Sequence, residues 1–315
     1  MNIKGVKFSN CLVASGALSF FGSGYWYHNL YRLTIPGFEE TDSVSFVAKT
    51  TTLNHRSGNL PLNRNSQPRE IFPKCIKIYP LKGAMLNSID LSGPGALSLF
   101  ATGNWQEVNR PFMLSFVPLE TNRERRRKET EDFCGLLVDN LPQFRSPIGL
   151  QLNLSCPKTE HNPTALVDEA LQLLAIVGSL GIPIDLKVNI SIKTEVALAI
   201  QKSGLCDVLT ISNTIPYGTP GVNWPKVTGR KDSPLADLGG GELSGRPILP
   251  LVLQRIRELR RAGLNMLIKG GGGIFSASDV RRYSLAGANA VEIASVITLR
   301  PWRIKSIIQT AREIF

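Results

Sequence analysis

Short apolar or β-branched runs alternate with helical patterns along nearly the whole chain. Eight of these runs are strand candidates: Cys11–Ala14, Phe46–Thr50, Phe112–Val117, Gly149–Cys156, Ile184–Asn189, Val208–Asn213, Met266–Gly270 and Ala290–Ser295. Strands that alternate with helices pair in parallel, and eight of them predict a closed barrel. The expected fold class is therefore α/β, a (β/α)₈ TIM barrel, with residues 1–315 forming a single domain.

Local signals mark the starts of several helices in the second half of the chain. Asn162 followed by Pro163 is typical of an N-cap and a first helical turn. Ser276 and Asp279 have the spacing of a capping box, and Pro301 is expected to open the last helix. These helices fall between the predicted strands, as a barrel requires.

Two long segments interrupt the alternation, residues 54–85 and residues 215–249. Both contain glycine, proline and polar residues, and connections of this length in a compact domain are usually either functional loops with a small structure of their own or disordered. They follow the carboxyl ends of the second and sixth predicted strands, and barrel active sites form at that end. We expect them to be insertions that cover the mouth of the barrel.

The composition is that of an ordinary globular protein, with 43% hydrophobic and 19% charged residues. No stretch approaches the roughly 20 consecutive apolar residues of a membrane-spanning helix. The apolar run 11–21, which follows Lys4 and Lys7, imitates a signal peptide, but two serines and a glycine interrupt it. We interpret the run as a buried strand that ends in a glycine turn, and we expect a cytoplasmic protein that does not associate with a membrane.

The net charge of +11 is compatible with nucleic acid, an acidic surface or an anionic small molecule as partner. The densest basic cluster lies in residues 123–128, but glutamates are interleaved with it and favour a solvated helix face. No nucleic-acid-binding motif accompanies the cluster. A nucleic-acid partner is therefore not expected.

Five cysteines are widely spaced and form no CxxC pair: Cys11, Cys75, Cys134, Cys156 and Cys206. This pattern is typical of neither a disulfide framework nor a zinc site, and it suits a reducing compartment. We expect no bound metal. Four of the thiols are expected to be buried and inert, whereas Cys156 precedes a proline and a polar loop and is expected at the barrel mouth.

Polar side chains occur where several of the predicted strands end. Lys49 ends the second strand, Asn153 and Cys156 end the fourth, Lys187 lies in the fifth and Asn213 ends the sixth. An unpaired charge inside an apolar strand is costly, so two lysines and two asparagines at one barrel mouth are hard to explain as structure alone. They predict a polar ligand that has both donors and acceptors.

A run of four glycines, Gly270–Gly273, ends the seventh strand and precedes a capped helix. Glycines let the backbone approach phosphate oxygens, and a helix N-terminus presents free N–H groups to them. Ala294 and Ser295 end the eighth strand and supply further donors. Barrels commonly bind phosphate after strands seven and eight, so the run predicts a phosphorylated ligand of unspecified kind.

Taken together, these motifs resemble those of a known family. The segment Asn153-Leu-Ser-Cys-Pro157 is similar to the NxSCPN signature of the class 1 dihydroorotate dehydrogenases. Further matching motifs follow that family's order, from Gly5 to the final helix: Ala14-Ser15-Gly16, Lys49-Thr50, Asn87, Lys187, Ser212-Asn213-Thr214, Gly239–Gly245 and the glycine run. We expect no counterpart of the N-terminal helical extension of the membrane-associated class 2 enzymes.

The resemblance implies an FMN-dependent oxidoreductase that oxidises dihydroorotate to orotate in pyrimidine biosynthesis. It implies that Cys156 is the base for the C5 proton, that hydride passes to the flavin, and that Lys187 stabilises the reduced flavin. The implied cofactor contacts are Ala14, Ser15, Gly16, Lys49, Thr50, Asn153, Lys187, Ser212, Gly245, Gly271, Gly272, Gly273, Ala294 and Ser295. The implied substrate contacts are Lys49, Asn87, Asn153, Lys158, Asn213 and Thr214.

The chain departs from the family at two substrate-side positions. Lys158 stands where the family has asparagine, and Leu62-Asn63 stand where an arginine usually follows the family's proline. These departures keep open an FMN enzyme acting on another dihydropyrimidine. A flavin-free phosphate-binding barrel isomerase or synthase would explain the glycine run and the mouth lysines but not the asparagines, and a basic RNA-binding protein without activity is a third alternative.

The chain carries no cysteine cluster for an iron–sulfur centre and no dinucleotide fingerprint, so the oxidant is either a soluble acceptor such as fumarate or an electron-transfer subunit. The class 1 resemblance also implies a homodimer.

Overall fold

The fold was analysed in a computed structural model, which describes residues 1–154 and 163–315. The strands of this part of the chain are β1 (Asn2–Ile3), β2 (Val6–Lys7), β3 (Cys11–Val13), β4 (Ile76–Tyr79), β5 (Ala84–Asn87), β6 (Phe112–Phe116), β7 (Ile148–Asn153), β8 (Ile184–Val188), β9 (Val208–Ile211), β10 (Ile215–Pro216), β11 (Glu242–Gly245), β12 (Leu267–Gly271) and β13 (Ala290–Ile293). The helices are α1 (Trp26–Thr34), α2 (Glu40–Ser43), α3 (Ala96–Ala101), α4 (Arg123–Asn140), α5 (Pro163–Gly178), α6 (Thr194–Ser203), α7 (Trp224–Thr228), α8 (Leu249–Arg261), α9 (Ala277–Ala286), α10 (Ser295–Leu299) and α11 (Ile304–Ile314).

Seven parallel strands form a curled sheet in the order β3-β13-β12-β9-β8-β7-β6. They are seven of the eight predicted strands. Each is observed within one or two residues of its predicted bounds, with one exception. At the carboxyl end of β7 the predicted strand continues beyond the described residues. The predicted second strand lies between the two edges of the sheet. Its residue Phe46 bridges Val13 of β3, and Val47 bridges Met113 of β6, both in parallel. The predicted α/β TIM-barrel fold is thus confirmed.

The second strand is not regular, and here the prediction of a strand over 46–50 is wrong in detail. The backbone N–H of Lys49 donates to the carbonyl of Ser19 at 3.0 Å, and that of Thr50 donates to the Ser15 hydroxyl at 3.0 Å. These two amides therefore bond to the loop after β3 instead of to a neighbouring strand. The ladder is interrupted at the point where Lys49 and Thr50 reach the barrel mouth.

The barrel interior is layered from apolar to polar. At its amino-terminal end the hairpin of β1 and β2 closes the barrel, and Phe8 packs there with Leu12, Val47, Met113 and Val208. Above this layer the inward side chains are polar or charged, because alternate residues of a strand face the same side. Asp185 and Lys187 of β8 are both buried inside, while Ile184, Leu186 and Val188 pack in the main hydrophobic core. The polar layer underlies the mouth.

The two long segments meet in one small structure. Residues from both of them form a four-stranded antiparallel sheet in the order β10-β11-β5-β4. Asn87 of β5 pairs with Glu242 of β11, so the segment after the second barrel strand is held directly by the segment after the sixth. The insertions have structure of their own, and Asn87 and Glu242 both line the cavity at the barrel mouth.

The predicted helix starts at Pro163 and Pro301 are confirmed, whereas the predicted capping box at Ser276 is not. Helix α5 begins at Pro163, and Pro301 opens a 3₁₀ turn that leads into α11. Ser276 is the N-cap of α9, but its hydroxyl donates to the Asp279 carboxylate at 2.9 Å rather than capping the backbone, so the capping box is incomplete. The basic residues 123–128 lie on α4, where Lys128 pairs with Asp132 at 2.7 Å, as a solvated helix face requires.

The thiols of four cysteines are buried, as expected: Cys11, Cys75, Cys134 and Cys206. Burial raises the pKa of Cys11 and of Cys134 to about 12. Burial also raises the pKa of Cys75 and Cys206. Thiols that stay protonated at neutral pH are poor nucleophiles and bases, so these four are structural.

Candidate active site

A large cavity opens at the carboxyl ends of the barrel strands, and we call it the mouth cavity. Its volume of about 1950 Å³ exceeds the roughly 300–1,000 Å³ of a usual ligand pocket, which leaves room for a cofactor and a substrate together. Lys49, Asn153, Lys187 and Asn213 all line it. The sequence assigned these four residues to four separate strands, and the fold brings them to one cavity.

Lys49 is a buried cation held by neutral groups. Its Nζ donates to the carbonyl oxygen of Ser92 at 2.5 Å and lies 4.8 Å from the centre of the Phe20 ring. No carboxylate among the described residues pairs with it. Burial lowers the pKa of Lys49 to about 8. Such a lysine is still cationic at neutral pH and favours an anionic ligand beside it.

Lys187 is a buried cation held by a carboxylate. Its Nζ lies 2.6 Å from Oε1 of Glu292, a residue of β13 on the far side of the barrel interior. Both side chains are almost fully buried, at 5% and 2% exposed. The ion pair with Glu292 offsets the free-energy cost of burying the Lys187 charge inside an apolar strand. It leaves the Lys187 ammonium at the floor of the mouth cavity.

A chain of hydroxyl and amide groups connects the two sides of the mouth. The Thr50 hydroxyl lies 3.0 Å from that of Ser15 and 2.9 Å from that of Ser115. Asn153 Nδ2 donates to the Thr50 hydroxyl at 3.4 Å, and Asn213 Nδ2 donates to Asn153 Oδ1 at 3.3 Å. These contacts fix the orientation of the two asparagine amides toward the cavity. An oriented amide offers a donor and an acceptor to a planar ligand.

A second, small cavity of about 80 Å³ lies beside the glycine run, and we call it the inner cavity. Gly272 and Gly273 line it with Gly245, Ala294 and Ser295. A Cβ on Gly273 would lie 2.8 Å from the Gly245 carbonyl oxygen, and φ is positive at both residues. The backbone amides of Gly272 and Gly273 donate to no backbone carbonyl in the described chain. Unused amides around a space that only glycine leaves open suit a phosphate group.

The predicted site residues are brought together almost completely. Those lining the mouth cavity are Ser15, Gly16, Lys49, Thr50, Asn87, Asn153, Lys187, Asn213, Thr214, Ala294 and Ser295. Those lining the inner cavity include Ala14, Ser212, Gly245, Gly272 and Gly273. Gly271 lines neither cavity, because it lies within β12, where a Cβ would meet the Glu292 side chain at 2.7 Å. Cys156 and Lys158 lie outside the described residues.

Sequence reasoning missed the charged groups beneath the mouth. Asp185, Lys269 and Glu292 are buried in the barrel, and Lys269 Nζ lies 2.7 Å from Asp185 and 3.5 Å from Glu292. The signal that was available is alternation, since Asp185 and Lys187 are two residues apart in one strand and must share a face.

The departure at Leu62 and Asn63 lies in a turn. The Asn63 side chain accepts hydrogen bonds from the backbone N–H groups of Asn65 at 2.9 Å and Gln67 at 3.1 Å. Neither Leu62 nor Asn63 lines the mouth cavity. This segment therefore contributes no charged contact to the cavity at these two positions.

Two further observations concern other kinds of site. Across residues 1–154 and 163–315, no group of three or more His, Cys, Asp or Glu side chains is arranged to hold a metal ion. In the same ranges, none of the helices combines the length and the apolar character that crossing a bilayer requires.

The fold and the two cavities define the class: a (β/α)₈ barrel with a glycine-lined cavity after its last two strands and with lysine and asparagine side chains at its mouth. The dihydroorotate dehydrogenase family model matches residues 1–315, so the chain belongs to that family. It is an oxidoreductase that acts on a CH–CH group, and the reaction of the family is the oxidation of dihydroorotate in pyrimidine biosynthesis. The membership decides against the isomerase and RNA-binding alternatives.

Curated relatives agree with this assignment. The chain is 28% identical over 317 residues to the dihydroorotate dehydrogenase B (NAD(+)) catalytic subunit of Bacillus pumilus, a match that covers 98% of this chain and 89% of the relative. It is 28% identical over 316 residues to the subunit of the same name from Geobacillus kaustophilus, which covers 98% and 88%. The subunit from Bacillus caldolyticus is 27% identical over 316 residues, with the same coverage.

Proposed function

We propose that this chain, as a single domain, binds FMN without a covalent bond and uses it to oxidise dihydroorotate to orotate. The observation that carries the proposal is the convergence of Lys49, Lys187, Asn153 and Asn213 on one cavity that adjoins the glycine-lined inner cavity. An isoalloxazine ring carries amide-like and anionic edges, and its ribityl phosphate is a dianion. The mouth and the inner cavity offer complementary groups for both.

The inner cavity is the proposed phosphate site. Gly272 and Gly273 would present their backbone amides, and Ser295 begins α10 and contributes a hydroxyl that donates to Ser244 at 3.0 Å. Lys187 would lie against the electron-rich edge of the ring, and Lys49 would lie against its face. Bound FMN supplies a two-electron acceptor for the hydride that leaves C6 of the substrate.

The chain's own residues supply the proton chemistry and the substrate contacts. Cys156 is the proposed base that takes the C5 proton, because it is the one cysteine that the family signature places at the mouth. Asn87, Asn153, Asn213 and Thr214 are the proposed hydrogen-bonding partners of the pyrimidine amides. Lys158 is the proposed partner of the substrate carboxylate. A planar diamide ring matches this set, since each asparagine offers one donor and one acceptor.

The test is an anaerobic substrate screen that follows bleaching of the flavin absorption. Purified protein should be yellow, and dihydroorotate should bleach it while a neutral dihydropyrimidine such as dihydrouracil should not. A colourless protein contradicts the cofactor assignment. Bleaching by dihydrouracil alone favours the second candidate, another dihydropyrimidine as substrate, which the departures at Lys158 and at Leu62-Asn63 support.

Electron transfer to a partner subunit is the proposed route of reoxidation. The relatives are named as catalytic subunits of an NAD(+)-dependent enzyme, and the present chain contains no dinucleotide fingerprint of its own. Reoxidation by NAD⁺ should then require an added electron-transfer subunit, whereas reoxidation by fumarate with this chain alone would contradict the proposal. A cytoplasmic homodimer is the proposed working form of the chain.

A further inference from the structure

Four buried charged side chains form one connected group beneath the mouth, which we call the core tetrad. Its members are Asp185, Lys187, Lys269 and Glu292, all between 0% and 5% exposed. Lys187 Nζ lies 2.6 Å from Glu292, Glu292 lies 3.5 Å from Lys269 Nζ, and Lys269 Nζ lies 2.7 Å from Asp185. The two cations and two anions cancel, so the group is neutral as a whole.

Ion pairing within the core tetrad keeps Glu292 and Lys269 charged. Burial alone would raise the pKa of Glu292, but the charges of Lys187 and Lys269 outweigh it and the net shift is downward. Burial alone would lower the pKa of Lys269, but Asp185 and Glu292 outweigh it and the net shift is upward. Glu292 and Lys269 are therefore both ionised at neutral pH.

Within the tetrad, Asp185 and Glu292 have different surroundings. Both oxygens of Asp185 accept hydrogen bonds, from Gln151 at 2.8 Å, Thr210 at 2.6 Å and Lys269 at 2.7 Å. Glu292 accepts one at Oε1 from Lys187, while its Oε2 accepts none from the described residues. Glu292 also lines the inner cavity, which Asp185 does not. Glu292 thus borders both the closed barrel interior and the proposed cofactor site.

We propose that Glu292 is a positioning residue that holds the Lys187 ammonium at the flavin edge and offsets its charge, so that the core tetrad sets the reduction potential of the flavin. The inference rests on the proposed FMN function. The physical reason is the sign of the charge next to the ring. Reduction adds negative charge to the flavin, and any net positive charge close to it favours the reduced form, while net negative charge favours the oxidised form.

The proposal predicts opposite effects of two substitutions on the reduction potential of the flavin. A purely structural ion-pair network would not have these opposite effects. Glu292→Gln keeps the size of the side chain and leaves the core tetrad with one uncompensated positive charge, that of Lys187. Lys269→Met leaves one uncompensated negative charge in the same group. The first change should raise the flavin potential and the second should lower it, although both remove a buried ion pair and both should lower the stability of the fold.

The test is a spectroscopic redox titration of the FMN-loaded proteins. We expect Glu292→Gln to shift the two-electron equilibrium toward reduced flavin by roughly tenfold, about 30 mV for a two-electron couple, and Lys269→Met to shift it in the opposite direction. Glu292→Asp keeps the charge and should restore a potential close to that of the wild type. The control is Asp207→Asn, which removes a negative charge next to Lys4, before β9 and at the closed end of the barrel.

An unchanged or lower potential in FMN-loaded Glu292→Gln overturns the inference and leaves the proposed function intact. If that variant does not fold or does not hold FMN, the shift in Lys269→Met decides, and an unchanged or higher potential there overturns the inference. A wild-type protein that binds no FMN contradicts the proposed function itself, and the inference with it. These results are distinguished by measuring flavin content before the titration.

Discussion

The Lys49 ammonium donates a hydrogen bond to the Ser92 carbonyl oxygen at 2.5 Å, and the nearest charge compensation it receives is the face of the Phe20 ring. Lys187, which lines the same cavity, is paired with Glu292 at 2.6 Å. Among the described residues, Lys187 is thus a compensated buried cation at the mouth and Lys49 an uncompensated one. The uncompensated one is where a ligand with negative charge gains most, because burial has already removed the water that would screen it.

Lys49 should make orotate binding depend on pH. Burial lowers its pKa to about 8, so it is cationic below this pH and neutral above it. An anion binds the cationic form, and the dissociation constant for orotate should rise by about tenfold per pH unit between pH 8 and the pKa of Lys49 in the complex. Titration of the flavin absorption with orotate at several pH values measures this. In Lys49→Met the affinity should be lower at neutral pH, and this slope should be absent.

The glycine run should control flavin content. Gly273→Ala adds a Cβ that would lie 2.8 Å from both the Gly245 carbonyl oxygen and Leu249 Cβ, so the inner cavity should close and FMN content should fall at least tenfold. The matched control is Gly263→Ala, which also has a positive φ but nothing within 4 Å of the added Cβ. Both changes cost about 1–2 kcal/mol in backbone strain. Equal flavin content in the two variants would show that the glycine run does not hold the phosphate.

Cys156 should be needed for chemistry and not for cofactor binding. Cys156→Ser replaces a thiol by a hydroxyl, a far weaker base near neutral pH, so reduction of the flavin by dihydroorotate should slow by about 10²–10⁴-fold, the usual contribution of a positioned base. Stopped-flow absorption under anaerobic conditions measures the rate. Cys134→Ser is the control, because that buried thiol lies on α4 and should leave the rate unchanged. A wild-type rate in Cys156→Ser would remove Cys156 from the mechanism.

Lys158 should distinguish an anionic substrate from a neutral one. Truncating the partner of a desolvated carboxylate typically costs about 2–5 kcal/mol, so Lys158→Ala should weaken orotate binding by roughly tenfold or more. Uracil, which lacks the carboxylate, should bind both proteins alike. Lys202→Ala changes an exposed lysine on α6 and serves as the control for net charge. Equal orotate affinity in wild type and Lys158→Ala would mean that Lys158 is solvated and that the substrate carboxylate has another partner.

The periodic signals were sufficient for the barrel. Each of β3, β6, β7, β8, β9, β12 and β13 appears where a short apolar or β-branched run predicts it, because the outward face of these strands packs in the main hydrophobic core even where the inward face is polar. The second strand is the exception. Its run 46–50 is as apolar as the others, but the loop after β3 captures the amides of Lys49 and Thr50, and no local pattern reports such a contact.

The sequence by itself determined the family, the glycine run and the polar residues at strand ends, because each of these is a property of a short segment with a fixed position along a strand. The tertiary structure decided which charges meet. Lys187 and Glu292 are 105 residues apart in the chain, and Lys269 and Asp185 are 84 apart. Only closure of the barrel brings these strands to one interior, where the cost of burying a charge requires a partner within contact distance. For this reason Glu292, which lies in an apolar run of the sequence, is a neighbour of the proposed flavin site.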